Sequence, residues 1–217
     1  VTAGMVARAD AGFDPPQITA PANVAASTDA GSCSAIVSTG QPVVVDNCSG
    51  YHVTGTRSDN LALTAPYPKG VTTITWKVTD SIGQTATATQ TITVSDTEAP
   101  SIANLATTET QLWPANHRMV NVRVSYDATD NCSPVTTSLT VTSNEPEDGL
   151  GDGDTAPDMI VTSAHEVSLR AERSAQGQGR IYTIQLTAVD ADGNTSTATT
   201  TRHPASARPR SAASARS

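Results

Sequence analysis

Aromatic side chains are nearly missing from this chain, which has one Phe, two Trp and four Tyr among 217 residues. With so few of them a deep, aromatic-lined ligand cleft is a poor expectation. Charged residues are also sparse, at 16%, while Thr, Ser, Val and Ala dominate; this is the composition of short, half-buried strands with little helix. No run approaches the ~18 apolar residues that a membrane helix needs, so no membrane insertion is expected. Lys and Arg are few, 13 against 21 Asp and Glu, for a net charge of −8. Four of those positive charges (Arg202, Arg208, Arg210 and Arg216) follow Thr201 in a stretch without acids, so subtracting them from −8 leaves −12 on residues 1 to 201. An acidic body argues against a nucleic-acid partner, whose phosphates are bound by Lys and Arg. Cations and neutral glycans stay open.

The usual catalytic strings are missing as well. There is no Gly-x-Ser-x-Gly elbow, no His-Glu-x-x-His, no phosphate-cradling loop and no Cys-x-x-Cys. The four His residues are scattered and none has a second His or a Cys at zinc-ligand spacing, which argues against zinc. Three Cys cannot all pair within one chain. Cys33 and Cys48, separated by a Val-rich strand and a turn, make a sensible disulfide in an oxidising compartment, and Cys132 is then left as a buried free thiol or as one end of an intermolecular bridge.

What the chain does contain is a module written twice. Pro16-Gln17-Ile18 and Asp46-Asn47-Cys48-Ser49 recur as Pro100-Ser101-Ile102 and Asp130-Asn131-Cys132-Ser133, both with a shift of 84. A third landmark, Thr79-Asp80-Ser81-Ile82-Gly83-Gln84-Thr85, recurs as Val189-Asp190-Ala191-Asp192-Gly193-Asn194-Thr195 with a shift of 110, so the second copy holds about 26 extra residues. Period-two alternation marks strands in both copies: Ile74, Trp76 and Val78, then Ile92 and Val94, and later Val120, Val122, Val124 and Tyr126, Leu139 and Val141, and Tyr182, Ile184, Leu186 and Ala188. Gly- and Pro-containing turns separate them. The expected fold is all-β, with two tandem immunoglobulin-like β-sandwiches joined end to end, the second bearing an acidic insertion. The expected boundaries are a flexible leader at 1–13, a first sandwich at 14–97, a second at 98–204 with its insertion at about 143–180, and a disordered tail at 205–217. The leader lacks a signal-peptide core, so the chain reads as a mature or excised piece of something larger.

The first copy resembles the hyalin repeat, an extracellular module with an immunoglobulin-like fold. The matching residues are Pro16-Gln17-Ile18, Pro21-Ala22-Asn23-Val24, Gly31-Ser32-Cys33, Asp46-Asn47-Cys48, Tyr67-Pro68-Lys69-Gly70-Val71-Thr72-Thr73-Ile74 and Thr79-Asp80 to Gly83-Gln84. Where the family usually has two further Cys this chain has Ala20 and Ala88, which leaves Cys33 and Cys48 as the natural disulfide of the copy. The second copy looks like a divergent relative found in large bacterial surface and secreted proteins. The resemblance implies a secreted or cell-surface spacer, adhesion or glycan-binding module among the neighbouring domains of a larger protein, and it implies no activity.

The extra segment is where chemistry is expected. Glu145, Glu147, Asp148, Asp152, Asp154 and Asp158 fall in fourteen residues that hold no Lys or Arg and contain three Gly, a supply of hard oxygen ligands that suits Ca2+. A solvated acidic loop is the plain alternative. Arg170, Arg173 and Arg180, with Glu172, could order the same loop by ion pairing and so compete with calcium. Asp96 and Glu98, between the copies, are a second possible cation site with Asp14 or the Asp-Asn-Cys acids, although acids there more often cap turns. Trp113, Asn116 and His117 could offer a stacking face and polar groups to a sugar, against the plainer reading of a packed Trp. The enzymatic alternative is a secreted glycosidase-like hydrolase with a carboxylate pair, Glu145 or Glu147 with Glu172 or Asp158, near Trp113 and His117.

Overall fold

The computed structural model describes residues 14–47, 50–108, 111–112, 114–147, 156–172 and 180–204. Cys48, Trp113, Asp148, Asp152, Asp154, Arg173 and the expected leader and tail lie outside them. The chain forms two compact units, 1–98 and 99–217, and all regular structure in the described residues is β. Among the described residues no helix is long and apolar enough to cross a membrane.

Unit 1 contains β1 (Gln17–Thr19), β2 (Val24–Ser27), β3 (Ser34–Ala35), β4 (Val43–Val45), β5 (His52–Arg57), β6 (Tyr67–Pro68), β7 (Gly70–Thr79) and β8 (Thr85–Ser95). A four-stranded sheet in the order β2-β8-β7-β5 is covered by two short pairs, β1-β4 and β3-β6. The strict alternation of β7 sends Ile74, Trp76 and Val78 inward, and Ile74 and Trp76 join Tyr67, Ile92, Val94 and Ala35 in one core cluster. Each such side chain contributes roughly 1.5–3 kcal/mol when fully buried. The Trp76 indole lies against the backbone of Gly55, so close that a Cβ there would stand 2.9 Å from the ring. Its Nε1–H donates to buried Gln90, and the Gln90 amide nitrogen donates in turn to the carbonyls of Ala22 and Thr39, leaving no polar atom of that core amide unpaired.

Unit 2 contains β9 (Ser101–Thr107), β10 (Gln111–Leu112), β11 (Met119–Thr129), β12 (Thr136–Ser143), β13 (Met159–Ser163), β14 (Glu166–Arg170), β15 (Tyr182–Val189) and β16 (Thr195–Pro204). Its two four-stranded sheets run β13-β14-β11-β9 and β10-β16-β15-β12. With the strands lettered in chain order, these are the two facing sheets of an immunoglobulin-like sandwich. The core draws on both, with Val122, Val124, Val167 and Leu169 from one and Leu139, Tyr182, Ile184 and Leu186 from the other.

The repeated landmarks mark a repeated topology. In each unit the first strand pairs antiparallel within one sheet (β1 with β4, β9 with β11), and the next strand crosses over to pair parallel with the last strand (β2 with β8, β10 with β16). The recurring Asp residues cap turns: the Asp80 carboxylate accepts the amides of Ile82 and Gln84, that of Asp190 accepts those of Asp192 and Asn194, and that of Asp130 accepts those of Cys132 and Ser133. The expected insertion is only partly a loop. Its second half supplies β13 and β14, and Val167 and Leu169 of β14 are fully buried, so the segment adds two strands to a sheet. Cys33 is disulfide-bonded. Cys132, expected as a buried free thiol or one end of an intermolecular bridge, is disulfide-bonded too and is half-buried.

Candidate functional site

Two acids of the acidic segment, Glu145 and Asp158, converge with Glu172 on one guanidinium. Arg180 sits one residue before Ile181 and β15, where the chain re-enters the sandwich, and both its side chain and that of Asp158 are 0% exposed. One amino group of Arg180 binds Asp158 Oδ2 and approaches Glu172 Oε1 at 3.3 Å; the other donates to the Pro146 carbonyl at 2.8 Å, and Nε faces Glu145 at 3.5 Å. A second arginine closes the far side. Arg170, at the end of β14, donates from Nε to Asp158 Oδ1 at 3.0 Å and from its amino groups to the carbonyls of His117 and Pro157. Tyr182, the first residue of β15, donates its hydroxyl to the Arg170 carbonyl and accepts from Arg180.

His117 joins the cluster through an unusual backbone. Its φ is +60°, a left-handed value uncommon outside Gly. The turn is held against the end of β14 by hydrogen bonds from the His117 amide to the Ala171 carbonyl and from the Ala171 amide to the Arg118 carbonyl. The ring, about half exposed, then places Nδ1 3.2 Å from Glu172 Oε2. Glu172 itself is 1% exposed.

Burial governs the electrostatics. It pushes the Glu172 pKa up, and the neighbouring Asp158 carboxylate adds to the rise, while His117 and Arg180 pull the other way. The Tyr182 hydroxyl is likewise pushed up, to about 12, by burial first. For Arg180 burial opposes the charge, but the hydrogen bonds that it donates to Asp158 and Tyr182 outweigh it and raise its pKa. A folded pKa above the unfolded value means that the stabilisation from Glu172 is fully present below the unfolded carboxyl pKa and is lost as pH rises through the folded one. Glu172→Gln, a neutral mimic of the protonated acid, is therefore expected to flatten the fall of Tm with rising pH that begins near the ordinary carboxyl range. Parallel wild-type and variant curves of Tm against pH would contradict this.

The geometry sorts the sequence expectations. Glu145 and Asp158, two of the six expected calcium ligands, turn their oxygens to Arg180, so these residues do not fit a calcium shell: a guanidinium already stands where the ion would. Glu147 is half-buried, and the other three acids are outside the described residues. Of the alternative catalytic set, Glu145, Glu147, Glu172 and His117, all but Glu147 come together, in a closed ion-pair cluster in which Glu145 and Glu172 approach Arg180. Of the expected sugar platform, Asn116 accepts the Arg118 amide within its own turn and His117 is committed to Glu172. The acids between the copies cap the chain inside unit 1: Glu98 accepts the Gly31 amide at 2.8 Å, and Asp96 accepts the Glu98 amide. The pairing of Arg180 with acids of the segment, Asp158 among them, is the ion-pairing alternative that the sequence offered; Tyr182 was missed as a partner of Arg180, and its one signal was its place on the inward face of an alternating strand.

No family model and no curated protein matches this chain. Among solved structures, it is similar to extracellular cadherin domains 1–4 of protocadherin gamma B7, at 15% identity over 87% of this chain and 49% of that one, with a TM-score of 0.41. It is similar to Drosophila N-cadherin EC1-4, at 14% identity over 88% of this chain and 50% of that one, TM-score 0.32. The titin domains z1z2, in complex with telethonin, give 13% identity over 88% of this chain and 97% of that one, TM-score 0.37. The chain spans about half the length of the two cadherin structures.

Proposed function

We propose that this chain is a non-catalytic extracellular module, a spacer or adhesion unit of a larger secreted or cell-surface protein, with a first sandwich of the hyalin-repeat kind and an enlarged relative as its second. The observation that carries the reading is the convergence of Glu145, Asp158 and Glu172 on Arg180. A glycosidase acid must meet its substrate oxygen, and a carboxylate that is buried and shared between Arg180 and His117 is spent on holding the fold. The disulfide bonding of Cys33 and Cys132 supports an oxidising, extracellular setting. The calcium part of the proposal narrows to Glu147 and to Asp148, Asp152 and Asp154, since Glu145 and Asp158 are taken. Glycan or another cell-surface ligand is the partner class such a module would meet.

The test is a panel of chromogenic glycosides and esters offered to the full chain, run beside an attachment assay with chain-coated beads on cell and glycoprotein layers. No turnover with bead attachment above that of uncoated beads is the expected result. Turnover that survives purification and vanishes in Glu145→Gln or Glu172→Gln would replace this reading with a hydrolase.

A further inference from the structure

Away from the ion-pair cluster, unit 2 carries a polar cleft along β11 in its β13-β14-β11-β9 sheet, and its origin lies in the strand pairing. β11 is paired with β14 up to Arg123 and with β9 from Val124 onward, on the opposite edge, so each edge is covered along only part of its length. Two strands of the sheet are irregular near the changeover, β9 beside β11 and β13 on the far side of β14. β9 carries an extra residue near Asn104, whose φ is +55°, and β13 carries one at Thr162, just before the Ala164–His165 hairpin turn. Bulges of this kind re-aim side chains and bend an edge. The result is a cavity of about 580 Å3, lined by Thr108, Arg123, Ser125, Tyr126, His165 and Glu166 among others.

Its chemistry is that of a diol receptor. Arg123 and Glu166 are directly paired across β11 and β14, and because Val122, Val124 and Val167 point into the core, both side chains rise from the outer face. Neither head group makes a hydrogen bond or ion pair among the described residues. A fixed imidazole lines the same cavity: His165 is stacked, with centroids 4.6 Å apart, on the ring of Tyr126, which turns inward with Val122 and Val124, packs against the core and has its hydroxyl anchored to Thr137 and to the Ala164 carbonyl. His165 is held by its own backbone carbonyl, which accepts the Val124 amide, and by Nδ1, which donates to the Val124 carbonyl at 3.3 Å. In the neutral ring that bond leaves Nε2 as an acceptor. A guanidinium donor and a carboxylate acceptor side by side, next to an imidazole with one face on Tyr126, match adjacent ring hydroxyls with a carbon face beneath them. The volume is that of a small-ligand site, and the acidic body of the chain disfavours anionic sugars.

We propose that this cleft binds a neutral hexopyranose residue of a glycan, with Arg123 donating to one hydroxyl, Glu166 accepting from its neighbour and His165 packed on the sugar. The proposal rests on the reading of the chain as a binding module and gives that module its site. Saturation-transfer NMR of the full chain with the methyl pyranosides of glucose, galactose and mannose, followed by titration on a neutral-glycan array, tests it. At least one neutral hexoside is expected to bind, with the Tyr126 and His165 resonances shifting, and Arg123→Ala and Glu166→Gln are each expected to weaken binding about tenfold or more. Both positions are on the sheet's outer face, so an unchanged Tm shows that the fold is intact. Binding to none of the hexosides, binding to uronic or sialic acids alone, or undiminished affinity in both variants would overturn the proposal. Any of these leaves the result of the hydrolase panel standing by itself.

Discussion

Arg180→Met is expected to destabilise the second sandwich by about 3–5 kcal/mol, the cost of leaving buried charge without its partner. The size follows from what remains. Asp158 and Glu172 are 0% and 1% exposed, and with the guanidinium gone they would be left with Arg170, which already gives its Nε to Asp158, and with the half-exposed His117 beside Glu172. The Pro146 carbonyl and the Tyr182 hydroxyl would lose a donor as well. In a sandwich of about this size that corresponds to a fall in Tm of more than about 10 °C, measurable by scanning calorimetry. Adding Asp158→Asn and Glu172→Gln to the same chain should restore much of the loss, because an apolar chain beside neutral amides leaves no unpaired charge. Arg180→Lys should rescue poorly, since an ammonium cannot reproduce the planar fork that spans Glu145, Asp158 and Pro146.

The second large effect lies in unit 1. Arg57, the last residue of β5, has a fully buried side chain. Its guanidinium grips Asp59 with two bonds of 2.9 and 2.5 Å, donates to the carbonyls of Ala62, Ala65 and Pro66, and lies 3.8 Å from the centre of the Tyr67 ring. One side chain thus organises the connection from β5 to β6. Arg57→Met is expected to cost about 2–4 kcal/mol, because three carbonyls and a carboxylate lose a charged donor together. The Asp59 pKa is held down chiefly by its hydrogen bond to Arg57. A depressed folded pKa gives stability that is present above the unfolded value near 3.8 and is lost as pH falls through the folded one, so the contribution should persist through neutral pH and fade only in strong acid. Denaturant unfolding of Arg57→Met at neutral pH checks the magnitude; a midpoint equal to the wild type would show that the loop is held by other means.

These two arginines also show where sequence is readable. The strands were legible because Thr and Val alternate in long runs, and Ile74, Trp76 and Val78 or Tyr182, Ile184, Leu186 and Ala188 can face only one core. The duplication was legible from its capped turns, since Asp80 and Asp190 perform the same backbone task. Arg57 was hidden, although it shares the inward parity of Val53 and Gly55; a lone charge on an inward position reads as a strand end until its five acceptors are seen to be carbonyls and a carboxylate up to nine positions away.

The acidic segment was ambiguous for a different reason. Crowded carboxylates need a cation, and local sequence does not say whether that cation is a metal ion or an arginine. Arg170, Glu172 and Arg180 were recognisable as competitors for the calcium reading. The choice depends on residues 145, 158, 172 and 180 meeting in space, and that meeting is set by β13 and β14. Those two strands fall inside the expected insertion, because their own alternation is short and follows directly on a long acidic run. The polar cleft at Arg123 and His165 was likewise beyond reach, since it exists only where β11 changes partners.

The central claim is that Arg180, through Asp158, locks the acidic segment into the second sandwich without a metal ion at Glu145 and Asp158. A double-mutant cycle tests it most directly: unfolding free energies of the wild type, Arg180→Met, Asp158→Asn and the double variant, all in chelator. The expected result is strong coupling, with the double variant more stable than Arg180→Met and an interaction energy of about 2 kcal/mol or more. Additive losses in chelator, or an Arg180→Met chain as stable as the wild type, would contradict the claim.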